Sequence, residues 1–401
     1  MSEKSLTAGS IQRLWAFWVC LVFIIIIITL QVIHSSLVMW LIIGFALGYT
    51  LQRSRFCFAA GFRDVFLIKN GLLTRALFLL LILTSVGFFL LHWAGVVALP
   101  QSGALQPVGY YTVLGGLLFG LGSVFAGSCV SGSLMRAGEG YVAQWVVVLG
   151  ILIGSAINME QLSWWNQSIG SFNRIVFLPD YYSWSVMIVF YLAIFSFFTA
   201  ITIWVEEGSI KSLGQRIGSV FNCPKKEQRH NGPKTFVTGK PWSYLTGAVV
   251  LAMLNILLLA STERPASIIG GISNFAWWLL LKIGFGGHNS TLLHDYSESG
   301  DVNSLLGNPT LFFAFAIVIG ALCASLLNRE FKIRLPRFST SYYFSLSGGI
   351  LLGFGARIAM GCNIGGLWSG ISSFSLHGWL FGIFIFIGSF IGGKLYLRFF
   401  I

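Results

Sequence analysis

The sequence predicts an all-α polytopic membrane protein of about ten transmembrane helices, folded as two repeats of opposite topology that contain broken or re-entrant helices. Three observations predict this. Of the 401 residues, 56% are hydrophobic and only 9% are charged, where a soluble domain carries roughly 25% charged residues. Uncharged apolar runs long enough to cross roughly 30 Å of hydrocarbon recur along the chain. A pattern of glycines around a cysteine occurs twice, as GLGSVFAGSCVSG at 120–132 and as GFGARIAMGCNIGGLWSG at 353–370.

The spans fall, in order, at 14–33, 37–52, 76–97, 110–127, 141–158, 183–205, 243–260, 309–327, 341–361 and 377–398. The first is too long for the apolar core of a signal peptide, and no small-residue cleavage site follows it. Charge then orients them. Residues 53–75 hold five basic residues and one acid, 206–240 hold seven and three, and 328–338 hold four and one. Residues 94–110 carry no charge, and 261–308 carry two basic residues against four acids. Basic loops stay in the cytoplasm, so both termini are expected there. The net charge of +12 is thus a matter of topology, and no nucleic acid is implied. The expected organisation is an N-terminal half over 1–205 with one extra first span, a basic cytoplasmic loop over 206–240, and a C-terminal half over 241–401.

The repeat is specific. Setting Gly116 on Gly349 brings Gly120 onto Gly353, Gly122 onto Gly355, Ala126 onto Ala359, Cys129 onto Cys362 and Gly132 onto Gly365. A one-residue gap then places Trp145, Gly154 and Ser155 on Trp379, Gly388 and Ser389. The span before Cys129 runs inward and the span before Cys362 runs outward, so the copies are inverted, an architecture of transporters and channels. Gly44-x3-Gly48, Gly116-x3-Gly120, Gly349-x3-Gly353 and Gly378-x3-Gly382 are patterns that let helix backbones approach closely, and simple packing accounts for most of them.

Around Cys129 and Cys362 the helix-forming run breaks. Irregular backbone at membrane depth needs protein or a water-lined cavity to satisfy it, and free N–H groups at helix N-termini favour anions and ionised thiols. Gly127, Gly361 and Asn363 belong to these two breaks. Cys57 forms a third candidate, crowded by Arg53, Arg55 and Arg63, although these arginines also serve as positive-inside anchors, with Asp64 pairing to Arg63. Arg357, five residues before Cys362, is an ionisable residue inside a span and a candidate by that fact; an anion path would explain it, and so would a snorkelling anchor. Cys20 and Cys323 read as small buried hydrophobes, and Cys223 as an incidental exposed thiol. Glu139 is expected to cap or pair locally with Arg136, His377 to orient the last helix, and HDYSESGD (294–301) to be a solvated outer loop. Six cysteines without a CxxC pair give neither a disulfide framework nor a metal spacing; no cofactor is implied and no P-loop is present.

RSRFCFAAGFRD, AGSCVSGSLMRAGEGY and GFGARIAMGCNIGGLWSGISSFSLHGW resemble the signature segments of the YeeE/YedE family of membrane proteins, over most of the chain from about residue 40. The last segment, with the SIIGGISNFAWW region before it, is more similar to the YedE branch, which is associated with selenium and sulfur metabolism. The resemblance implies an hourglass of transmembrane and short re-entrant helices. It implies import of a small sulfur or selenium oxyanion, thiosulfate first, along a path lined by Cys57, Cys129 and Cys362. It also implies a cytoplasmic TusA-like or rhodanese-like sulfur carrier as partner. AGSC and GCNIGG depart from the thiosulfate importers' pattern at the path itself. The rival to a conduit is a membrane sulfurtransferase that passes sulfur inward as a cysteine persulfide; the two differ in whether the whole ion crosses.

Overall fold

A computed structural model describes residues 3–33, 35–67, 70–99, 105–160, 174–207, 241–284, 308–336 and 338–400. Among these the chain is helical, with no strand. The helices are α1 (Glu3–Ile33), α2 (Ser35–Ser54), α3 (Phe58–Leu67), α4 (Leu72–Trp93), α5 (Tyr110–Phe125), α6 (Val130–Gly138), α7 (Val142–Glu160), α8 (Trp184–Glu207), α9 (Tyr244–Thr262), α10 (Ile269–Ile283), α11 (Pro309–Leu327), α12 (Thr340–Ile358) and α13 (Leu376–Phe400). A π-helix, Asn363–Ser369, and a short turn, Gly370–Ser372, lie between the last two.

All ten expected spans are present. Nine helical runs among the described residues, counting α2 with α3 and α5 with α6 as single runs, are long and apolar enough to cross a membrane. The tenth is α12 with Asn363–Ser372, bent by 46°. Two helices were not visible as spans. The basic stretch 53–75 folds part of its length as α3, and the stretch 261–308, expected as an outer loop, begins with the 15-residue α10. Both are too short to cross alone.

The packing repeats with a twofold pattern. Helix α7 packs on α12 as α13 packs on α5; α2 packs on α11 as α9 packs on α4; α10 contacts α7 and α11 as α3 contacts α13 and α4. Helices α5 and α12 cross each other at the centre. There Gly115 and Gly355 meet backbone to backbone: a Cβ on Gly115 would fall 2.6 Å from the Gly355 carbonyl oxygen, and one on Gly355 2.8 Å from that of Gly115. Helix α1 has no sequence counterpart in the repeat, yet it lies on α11 as α8 lies on α4.

Backbone conformation repeats too. Helices end in left-handed residues at paired places: Arg55 (φ +50°) after α2 and Glu263 (φ +56°) after α9; Gly95 (φ +71°) after α4 and Arg329 (φ +59°) after α11. Gly127 (φ +70°) follows α5 and Met360 (φ +51°) follows α12; Gly140 (φ +93°) follows α6 and Phe374 (φ +58°) follows the turn at 370–372. Only one member of three pairs is glycine's natural choice, and a side chain in this region costs about 1–2 kcal/mol, so tertiary packing holds Arg55, Glu263, Arg329, Met360 and Phe374 there. At the starts, Ser243 Oγ accepts from Thr246 N at 3.0 Å to cap α9, and Asn308 Oδ1 accepts from Thr310 N at 3.2 Å to cap α11 ahead of Pro309.

Candidate functional site

Each of the three candidate cysteines stands at the start of a helix. Cys57 immediately precedes α3, Cys129 is the N-cap of α6, and Cys362 is the N-cap of the π-helix. The first amides of a helix have no intrahelical acceptor, and these sulfurs meet them. The Cys57 sulfur faces the amide of Ala60, that of Cys129 the amide of Gly132, and that of Cys362 the amides of Gly365, Ile364, Ile269 and Ile268. The positive end of a helix dipole suits either a thiolate or an anion resting against the thiol.

Cys57 and Cys129 form a pair. Their thiols face each other, and both crowd Gly132, where an added Cβ would lie 3.4 Å from the Cys57 sulfur and 3.7 Å from that of Cys129. Ser131 Oγ lies 3.3 Å from the Cys129 sulfur. Cys57, Cys129 and Cys362 are 5%, 0% and 1% exposed, so all three thiols are buried. The π-helix packs against α6, which brings the two breaks together.

The breaks are held by parallel devices. Gln144 Nε2 donates to the Ala126 carbonyl at 3.2 Å, and His377 Nε2 lies 2.6 Å from the carbonyl of Ala359, its counterpart. Ser128 Oγ donates to Gln144 Oε1 at 2.6 Å and lies 2.7 Å from Ser133 Oγ. On the other side Trp368 Nε1 donates to Thr84 Oγ1 at 2.9 Å, and Ser369 Oγ donates to the Ala266 carbonyl at 2.7 Å. His377 therefore braces the break rather than merely starting α13.

The remaining candidates divide. Gly127 is left-handed, and its carbonyl accepts from Arg136 Nη1 at 3.0 Å. Gly361 packs against Gly366, where its Cβ would fall 2.6 Å from the Gly366 Cα. Asn363 is 2% exposed beside Cys362, and among the described residues neither its Oδ1 nor its Nδ2 finds a partner. Two unmade amide bonds in a buried site are costly. Arg357 is half-buried in the last turn of α12. Arg55 turns away from Cys57 to Glu330, Nη2 to Oε2 at 2.9 Å, where Gln52 Nε2 also donates at 2.8 Å. Arg136 and Arg63 are the cations acting on Cys57, and Arg63 is paired with Asp64 at 3.0 Å as expected.

Glu139 is the C-cap residue of α6, as one half of the expectation has it, but its ion pair is not the local one. It is 3% exposed, with Oε2 4.0 Å from Arg334 Nη1 on the chain before α12, because Arg136 is committed to the Gly127 carbonyl. Cys20 and Cys323 are in contact, 2.9 Å apart. Cys223, residues 208–240 of the basic loop and the cluster 294–301 lie outside the described residues.

A polytopic membrane protein built as an inverted repeat, with its helices broken where the halves meet, belongs to the class of membrane transporters and channels. Within that class the match is definite: residues 53–391 fit the Sulf_transp family, described as sulphur transport, and the chain belongs to that family. It is 29% identical over 359 residues to the thiosulfate transporter TsuA of Escherichia coli (strain K12), covering 88% of this chain and 93% of the relative. It is 30% identical over 368 residues to the thiosulfate transporter TsuA of Spirochaeta thermophila, covering 87% and 96%. A shorter stretch of 78 residues, 20% of each chain, is 44% identical to the probable transporter YedE of E. coli. The protein is a sulfur-compound transporter of the membrane.

Proposed function

We propose that the protein imports thiosulfate, or a close sulfur oxyanion, across the bacterial inner membrane along a path lined by Cys57, Cys129 and Cys362. One observation carries the reading: three buried thiols, from three separate breaks, each occupy a helix N-terminus. An S–H donor backed by free amides attracts an anion without the full charge of a cation, which would bind it too tightly to release. The unpartnered Asn363 amide gives the ion a polar partner next to Cys362, while Gly127 and Gly361 allow the backbone to break. Arg136 adds positive potential at Cys57. Arg55 and Arg357 would draw the ion toward the two ends of the path.

In this reading residues 1–205 and 241–401 are the two halves, both termini are cytoplasmic, and the basic loop 206–240 docks a TusA-like or rhodanese-like sulfur carrier. A selenium analogue would use the same thiols. The paired thiols of Cys57 and Cys129 also suit the second reading, in which one of them takes the outer sulfur of thiosulfate as a persulfide and sulfite leaves.

Uptake into liposomes of thiosulfate labelled separately on each sulfur separates the two. Entry of both labels together, abolished in Cys57→Ala, Cys129→Ala and Cys362→Ala, is the expected result. Entry of the outer sulfur alone would make the protein a sulfurtransferase; entry of neither would remove thiosulfate as the substrate.

A further inference from the structure

The twofold pattern assigns a counterpart to Cys57 that the sequence repeat does not contain. Gly132 and Gly365 are equivalent in the repeat, as are Cys129 and Cys362. At Gly132 the side chain that leans on the glycine from the neighbouring break is Cys57; at Gly365 it is Ser267, whose Oγ would lie 2.9 Å from an added Cβ. The two breaks correspond in origin. That of Cys57 opens with left-handed Arg55 after α2 and leads into α3; that of Ser267 opens with left-handed Glu263 after α9 and leads into α10. Cys57 stands at the cap of its helix, and Ser267 stands one residue ahead of the cap, Ile268.

The position of Ser267 is fixed from both sides. Its neighbour Ala266 donates its amide to Asn255 Oδ1 at 2.9 Å and accepts at its carbonyl from Ser369 Oγ at 2.7 Å, and Asn255 Nδ2 in turn donates to Ser369 Oγ at 3.3 Å. Its other neighbours, Ile268 and Ile269, turn their amides to the Cys362 sulfur. Ala266, Ile268 and Ile269 are 0%, 0% and 3% exposed, whereas Ser267 is only half-buried. A braced, half-buried serine against the glycine that follows a buried thiol is placed to meet whatever rests on that thiol.

We propose that Ser267 is a fourth substrate-contacting residue, its hydroxyl donating a hydrogen bond to an oxygen of the sulfur oxyanion held at Cys362. The proposal rests on the transport reading above. It makes the path two stations: Cys57 with Cys129, and Ser267 with Cys362. The first sets two thiols together and the second a hydroxyl beside one thiol; with the Asn363 amide the second suits the oxygen-bearing end of the ion, leaving the terminal sulfur for the thiol.

The test is thiosulfate uptake by the full chain in liposomes for wild type, Ser267→Ala and Ser267→Thr, with labelling of Ser267→Cys by an anionic methanethiosulfonate reagent. Loss of one hydrogen bond to an anion predicts a rise in KM of about tenfold for Ser267→Ala and recovery in Ser267→Thr, with thermal unfolding in detergent unchanged in both. Ser267→Cys should be labelled at that residue, and thiosulfate should slow the labelling. An unchanged KM in Ser267→Ala, or labelling of Ser267→Cys that thiosulfate does not slow while wild type transports it, overturns the proposal. Absence of thiosulfate uptake by wild type overturns the transport reading instead; labelling of Ser267→Cys then still decides whether residue 267 lines an aqueous path, and a failure to label overturns its place there.

Discussion

The Cys20 and Cys323 sulfurs lie 2.9 Å apart, linking the first helix of the chain to α11 across 303 positions of sequence. Two thiols at that separation need little movement to join. Mild oxidation of the membrane-embedded protein is expected to yield a peptide linking Cys20 to Cys323, absent in Cys20→Ser and in Cys323→Ser. Recovery of the two cysteines as separate alkylated peptides would show that α1 does not lie on α11.

Gly132 and Gly353 should fail differently on substitution by alanine. At Gly132 the new methyl meets the Ser128 Cβ at 3.3 Å and the two thiols at 3.4 and 3.7 Å, so it narrows the waist while its neighbours yield. Uptake is expected to fall by about tenfold or more with unfolding nearly unchanged. At Gly353 the methyl would be driven into the backbone of Ile151, and overpacking of that kind costs roughly 1–3 kcal/mol. Gly353→Ala should therefore lower the unfolding temperature first.

His377 and Gln144 do one task in two halves, each holding the carbonyl that ends a helix before a cysteine. His377→Leu leaves the Ala359 carbonyl buried without a partner, at a cost of about 1–3 kcal/mol. His377→Gln, which restores an amide donor, should recover most of that loss in thermal unfolding. Equal destabilisation by both would mean that ring packing on Phe381, not the hydrogen bond, matters.

Glu139, just beyond the end of α6, has its carboxyl pushed above the ordinary glutamate value by burial, with Arg55, Arg136 and Arg334 pulling it down and Glu330 adding to the rise. The folded protein thus binds a proton that the unfolded chain releases, so stability is lost as pH rises from the unfolded value through the folded one. Unfolding measured from pH 4 upward should show this decline, and Glu139→Gln should flatten it. A wild-type profile already flat over that range would place the charge of Glu139 in a fully compensated network.

Much of this was legible in the sequence because it depends on residue type. Apolar runs locate the ten spans, and the coincidence of Cys129 and Trp145 with Cys362 and Trp379 locates the inverted repeat. What escaped depends on shape. Helix α10 hides in a stretch that reads as loop, since 15 residues cannot span alone. The correspondence of α1 with α8 lies in what each packs against, and their sequences share only lipid-facing apolarity. Arg136 was read as a partner for Glu139, yet the break at Gly127 claims it. Ser267 could not be found by matching letters, because the fold conserves its position against Gly365 while its chemistry differs from that of Cys57.

The left-handed residues, paired between the halves, have sulfur on one side and oxygen on the other as their nearest departure from symmetry, at Cys57 and Ser267. A perfectly symmetric passage would greet an ion identically from either end. Thiosulfate is itself lopsided, with a polarisable sulfur terminus and an oxygen-rich one, and a hydroxyl is a far stronger hydrogen-bond donor to oxygen than a thiol is. In the proposed path, one station faced by sulfur and one faced by oxygen would sort orientations of the ion, choosing which end leads. Such sorting supplies no energy for accumulation, but it gives an otherwise two-way fold a head and a tail.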